Sequence, residues 1–244
     1  MRTILLGVAL FILSAVLYSV HFYLFKDAHH IFIFLLGDIA FIPIEVFLVG
    51  IVIEQILKER EKRAMLEKLN MVIGVFFSEM GTELLENLSK SDHDLQKIKG
   101  DLLVNEEWTD ENFAKVESKL KNRNVDIEIK KVCLIDLKKY LYSKRDFLVK
   151  MLENPVLLEH ETFTELLRAV MHLEEELFRR NYLDEIQKHQ ADFLHLKGDT
   201  ERAYNLLMFE WVEYMKHLKN EYPYLFSFAM RTNPFDDKAT IEVK

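Results

Sequence analysis

Two acids stand where charge is poorly tolerated. Asp38 and Glu45 lie in GDIAFIPIEVFLVG, residues 37–50, a stretch otherwise built of apolar and small residues. A charged side chain near the centre of a membrane-spanning helix costs about 2.5–3.5 kcal/mol on insertion scales, so two of them call for compensation. Seven positions apart, they share one helix face, about 10 Å apart along the axis. Pro43 between them has no N–H and leaves the Ile39 carbonyl without its helical donor. The apolar run before them carries a matching stripe: Gly7, Ser14 and His21 recur at seven, with Tyr18 alongside. Two chemistries fit. In one, Asp38 hydrogen-bonds Tyr18 or His21 and the small residues let the helices approach. In the other, several copies assemble an ion or proton path lined by Asp38, Glu45, Tyr18, His21 and Ser14.

Metal ligation is the next chemistry to consider. His172 and Glu176 are four apart, as are Glu185 and His189, a spacing that can put two ligands on one helix face. The E-x-x-H element of di-metal helical bundles does not occur, nor does H-E-x-x-H. Asp92 and Asp94 lack the further oxygen ligands and central Gly of a calcium loop. Phosphate-binding glycine loops and the nucleophile elbow are absent too. No catalytic residue is assigned, an enzyme reading lacks support, and no cofactor is predicted. Cys133, in an apolar helical context, is expected to be a buried, inert thiol.

The elements that must position these residues divide sharply. Before Lys58 the only basic residues are Arg2 and Lys26. Two apolar runs, 4–25 and 31–53, are each long enough to cross a bilayer and are joined by the polar turn Lys26–His30. A cleaved signal peptide is the competing reading of the first run, but the run is longer than a signal h-region and no A-x-A-like site follows it. Lys58, Arg60, Lys62 and Arg63 form a basic collar after the second run, with i,i+4 pairs such as Glu59–Arg63. The positive-inside rule then places that flank, and both termini, in the cytoplasm of a cell membrane. The collar can also meet anionic headgroups.

Beyond the collar the whole-chain composition applies: 244 residues, net charge -8, 7 Gly, 4 Pro and 1 Cys. A disulfide scaffold, a collagen-like chain and a disordered chain are excluded. An acidic pI near 5.6 argues against nucleic acid as a partner. Met65, Leu69, Val72, Phe76, Met80, Leu84 and Leu88 recur at three and four, an amphipathic face on a long membrane-proximal helix spanning 58–90. Gly74, Ser78 and Gly81 make a small-residue stripe there, for close packing or as a hinge. Residues 91–105 are expected to be a connector. Thr109 caps a short helix, and Asp126 caps a longer one that Asn154-Pro155 stops. Helices over 162–181 and 183–196 follow, and Gly198-Asp199 is expected to break and restart the last of these before 200–219. No strand pattern is convincing. Tyr222, Tyr224, Phe226 and Phe228 alternate like a strand, yet Pro223 suits the first turn of a short helix. These aromatics either pack on the bundle as a lid or serve as an interaction surface.

Three segments carry a resemblance: AHHIFIFLLGDIAFIPIEV (28–46), EKLNMVIGVFFSEMGTELL (67–85) and YPYLFSFAMRTNPF (222–235). They resemble a family of uncharacterised prokaryotic two-span membrane proteins, over most of the chain. The resemblance implies a prokaryotic membrane setting and assigns no activity and no functional residue.

The expected architecture is all-α. A transmembrane hairpin (1–57) precedes the membrane-proximal helix (58–90), a cytosolic helical bundle (91–235) and a flexible tail (236–244). The expected function is an anchored interaction or signal-relay module, oligomeric, with coiled-coil character, a lipid bilayer around its hairpin and a cytosolic protein partner. The alternative is a small oligomeric cation or proton conductor using Asp38 and Glu45. A third reading is a membrane-bound metalloenzyme.

Overall fold

The computed structural model describes residues 2–130, 132–157 and 160–242, with side chains from Ile4 onward. It is all-α: among the described residues there is no strand, only a single antiparallel bridge between Asp92 and Ile127. The chain divides into two units, 1–63 and 64–244.

The N-terminal unit holds α1 (Arg2–Phe25) and most of α2 (Ala28–Phe76). The turn between these helices is shorter than the sequence suggests. Lys26 takes a left-handed φ of 50°, and the Asp27 carboxylate accepts from the His30 N–H at 3.2 Å, capping α2 two residues before His30. His29 and His30 therefore belong to the helix, and the His30 ring stacks on His21 at 6.0 Å. Apart from His21, Ile31 and Leu35, which are half-buried, the described side chains from Ile4 to Ile53 are exposed. Both helices are long and apolar enough to cross a membrane. Pro43 lies inside α2.

In the C-terminal unit the long helical run from Ala28 continues through a π-helical turn, Phe77–Gly81, into α3 (Thr82–Ser89). Most of its expected amphipathic face is buried, namely Leu69, Phe76, Met80, Leu84 and Leu88; Val72 is half-buried and Met65, nearer the apolar run, is exposed. Of the small-residue stripe the two glycines pack against rings, and Ser78 is exposed. Gly74 faces the Tyr214 ring, and a Cβ on Gly81 would sit 2.6–2.9 Å from the Phe76 and Phe77 rings.

Four expectations are corrected here. Residues 91–105 are more than a connector: α4 (Leu95–Leu102) forms because Leu95, Ile98 and Leu102 recur at three and four toward the core. Asp126 caps no helix. Residues 125–130 are non-helical because His93 N–H bonds the Asp126 carbonyl and Glu128 N–H bonds the Ser91 carbonyl, and the Asp126 side chain takes Lys197. The helical run there is two helices, α6 (Leu134–Ser143) and α7 (Arg145–Leu152), divided at Lys144. Gly198-Asp199 does not interrupt α9, which runs from Gln190 to Glu221. Gly198 is exposed, where a missing side chain leaves no void, and the Thr200 hydroxyl bonds back to the Leu196 carbonyl within the helix.

The short helix capped by Thr109 is α5 (Asp110–Lys121), closed by a reciprocal Thr109–Asn112 capping box. α8 (Glu161–Arg179) begins at His160, whose Nδ1 accepts from the Phe163 N–H. α9 is the central element; α8, α5, α3 and α10 (Pro223–Arg231) pack around it, and α6 and α7 cover α8. Trp211, Tyr204, Phe76, Phe77, Phe113, Phe163 and Phe235 fill the interior. Residues 236–242 are folded back rather than frayed. Thr240 N–H bonds the Arg231 carbonyl, Arg231 Nη1 bonds the Ile241 carbonyl, and Lys99 pairs with Asp237. Lys244 lies outside the described residues.

Candidate functional site

Along the α8–α9 seam, polar residues that the sequence scatters come together. α8 turns Phe163, Leu166, Leu167, Val170, Leu173 and Leu177 inward; α9 turns Leu196, Ala203, Tyr204 and Leu207 inward. Residues at the edge of those stripes face each other across the seam in antiparallel register. Steps of four along α8 (172, 176, 180) meet steps of four and then three back along α9 (199, 195, 192). His172 Nε2 lies 3.4 Å from Asp199 Oδ2, His195 Nε2 lies 3.4 Å from Glu176 Oε2 and 3.3 Å from Asp199 Oδ2, and Arg180 Nη2 lies 3.1 Å from Asp192 Oδ1. Arg180 also grips the Glu176 carboxylate.

The electrostatics grade along this ladder. At its outer end, the Arg180 hydrogen bond holds the Glu176 carboxyl below its ordinary range. Asp192 is held down likewise, first by the Tyr182 hydroxyl and then by Arg180. At its inner end Asp199 is different. Its side chain is 6% exposed, and Oδ2 has no hydrogen-bond partner despite the two imidazole nitrogens near it. His172 and His195 are half-exposed, so the cluster is reachable from solvent. The donor atoms of His172, His195 and Asp199 all lie within 4.8 Å of one another and could hold a metal ion.

Of the sequence candidates, His172 and Glu176 take part in this ladder. Glu185 and His189 do not. They lie in and just after a 3₁₀ segment, Leu183–Lys188, where residues four apart no longer share a face. Glu185 pairs with Lys188, and His189 packs on Tyr182. The break expected at Gly198 separates His195 from Asp199 in the sequence; on one continuous helix, H-x-x-x-D is the signal that pairs them. Cys133 is exposed, not buried, since it sits outside α6 at its N-terminal cap.

The other candidates remain apart. Among the described residues, Asp38 and Glu45 make no hydrogen bond, and the expected link from Asp38 to Tyr18 or His21 is not formed; all the spacing provides is two exposed carboxylates on α2. Ser14 is exposed as well. In the basic collar Lys58 pairs with Glu54 at 2.6 Å, and the expected Glu59–Arg63 pair is not among those formed. Arg60, Lys62 and Arg63 are exposed. Tyr224, Phe226 and Phe228 are helical, with Pro223 at the first turn of α10, and Tyr222 is the non-helical residue that precedes it. Only Phe226 is buried; Tyr222 is half-buried against His217, while Tyr224, Leu225 and Phe228 are exposed.

Fold and site thus define an all-α protein in which two long apolar helices precede a helical C-terminal unit with a His/carboxylate ladder between its two main helices. The chain belongs to the MJ1433 family. Residues 65–231 match the family described as "Uncharacterized protein MJ1433, C-terminal helical domain", and residues 1–57 match "MJ1433, N-terminal helical domain". It is 44% identical over 238 residues to "Uncharacterized protein MJ1433" of Methanocaldococcus jannaschii, covering 98% of this chain and 95% of the relative. No solved structure matches the chain.

Proposed function

We propose that this protein is a two-span membrane protein whose hairpin anchors a cytosolic helical interaction or signal-relay module. The supporting observation is the contrast between the units. Large apolar side chains from Ile4 to Leu57 are almost all exposed, which is tenable in water for isolated residues but not for two whole helices. Hydrocarbon satisfies them, and a helix satisfies its own backbone. Exposed Tyr224, Leu225 and Phe228 on α10 offer the module an apolar contact surface. The bias of Lys58, Arg60, Lys62 and Arg63 supports the cytoplasmic assignment.

Cys133 provides the test, as the single cysteine and an exposed one. The full chain should stay in the membrane pellet after alkaline carbonate extraction. A membrane-impermeant maleimide should label Cys133 in inverted vesicles and not in right-side-out ones, with Cys133→Ser as the blank. Extraction into the supernatant rejects the anchor; labelling in right-side-out vesicles alone rejects the orientation.

A second reading is favoured by the exposure of Asp38 and Glu45 without hydrogen-bond partners among the described residues. Further copies of the chain would supply those partners and enclose a cation or proton path. In proteoliposomes this reading requires flux that Asp38→Asn with Glu45→Gln abolishes. Wild-type protein, inserted and folded, that leaks no more than empty vesicles removes it.

A further inference from the structure

The inner end of the α8–α9 ladder has the composition and spacing of a metal-binding site, which is independent of the membrane anchor. We propose that His172, His195 and Asp199 bind one divalent transition-metal ion, with a fourth position open beside Glu176.

Distance is the first ground. A tetrahedral ion with bonds of about 2.0–2.2 Å holds its ligand atoms about 3.3–3.5 Å apart. Asp199 Oδ2 lies 3.4 Å from His172 Nε2 and 3.3 Å from His195 Nε2. Those are two of the three edges of such a ligand face, and they are longer than a well-formed charge-assisted hydrogen bond; the third, between the two imidazole nitrogens, lies within 4.8 Å and closes by a small rotation of the half-exposed rings. Burial is the second ground. Asp199 Oδ2 is sequestered and lacks a hydrogen-bond partner, although two potential donors lie close. A buried carboxylate oxygen left so is costly unless a cation takes it, and a metal ion accepts lone pairs from all three atoms at once.

Preorganisation is the third ground. His195 and Asp199 are an i,i+4 pair on α9, and His172 sits on α8, which packs along α9 through a buried apolar seam. The ligands thus project from rigid elements rather than loops. Donor chemistry selects the ion: two imidazoles and one carboxylate suit zinc, cobalt or nickel, whereas calcium and magnesium seek oxygen ligands. Glu176 Oε2, 3.4 Å from His195, is already held by Arg180, so it borders the fourth position rather than filling it. The half-exposed histidines leave a path for the ion and for water at that position.

The test uses the full chain in detergent, stripped with a chelator and then titrated with Zn²⁺ by calorimetry and Co²⁺ by visible absorption. His172→Gln and His195→Gln are the variants, since both positions are half-exposed and tolerate substitution; His189→Gln is the control, and circular dichroism checks folding. The expected result is one ion per chain, intense visible bands of tetrahedral cobalt, and affinity at least about a hundredfold weaker in each of the two variants, with the control unchanged. Folded wild type without stoichiometric binding overturns the proposal and leaves the cluster a polar contact between α8 and α9. Binding that survives both substitutions places the ion elsewhere, and loss in only one of them rejects the three-ligand arrangement.

Discussion

Glu210 is 1% exposed on α9, and its Oε1 has no hydrogen-bond partner. Burial pushes its carboxyl up from 4.5 to about 7, against the Thr162 hydrogen bond that favours the charged form. Glu213, one turn on, is also raised to about 7, by burial and then by the neighbouring Glu117 carboxyl group. The sign follows from proton linkage. Between about 4.5 and 7 the unfolded chain has lost these protons and the folded chain keeps them, so stability falls as pH rises through that window and is flat above it. Glu210→Gln removes the charge and keeps the shape. We expect it to leave stability near pH 4.5 unchanged and to raise it at pH 8 by on the order of 1–3 kcal/mol, read from thermal or denaturant unfolding of the two proteins at both pH values. At Gly81 the constraint is steric, because the two rings a Cβ would meet, Phe76 and Phe77, are themselves fully buried and fixed against Phe163 and Tyr214. Gly81→Ala is expected to destabilise the fold by about 1–3 kcal/mol despite its better helix propensity; an equal or higher midpoint in urea contradicts this packing account.

At the scale of elements, the segment between α5 and α6 is held without regular structure. Asp92, after α3, is fully buried and takes both oxygens to Arg123 Nη2 at 2.7 Å, while the Asp92–Ile127 bridge and the Glu201 carboxylate on Ile127 N–H pin the strand-like stretch. Once such a pair is buried, losing one partner costs far more than the pair contributes, because the other charge stays in the interior. Arg123→Leu is therefore expected to cost about 3–5 kcal/mol, and Arg123→Leu with Asp92→Leu considerably less. Denaturant midpoints of the single and double variants decide it: equal losses in both mean that packing, not the stranded carboxylate, sets the cost. The same logic explains why α9 survives Gly198. Helix propensity is a weak preference, and a long buried stripe from Leu196 to Leu218 outweighs one glycine.

For the molecule as a whole, the buried core begins at Leu69, and no described residue of 1–63 is buried. The C-terminal unit therefore has its interior complete without the apolar helices. Residues 64–244 produced alone are expected to be soluble and helical, and to unfold in one cooperative thermal transition without lipid or detergent; a molten or aggregated fragment shows that this interior depends on the N-terminal unit. The full chain, with two uncovered apolar helices, is expected to require detergent.

The sequence by itself determined the all-α class, the two apolar helices and most inward faces, because periodicity at three and four and long runs of apolar residues are local signals. It also determined the Thr109 cap, where one residue's chemistry sets the backbone, while at Pro223 it left a strand and a short helix both open. Tertiary structure decided the rest. Residues 125–130 stay non-helical because partners from distant segments, Ser91, His93 and Glu201, take their backbone groups. α9 continues through Gly198, and that continuity, with the antiparallel packing of α8, brings His195 and Asp199 to His172. Spacing along one helix reveals pairs of ligands. A cluster shared between two helices depends on their register, which is set by the apolar seam between them and is written in no single stretch of the sequence.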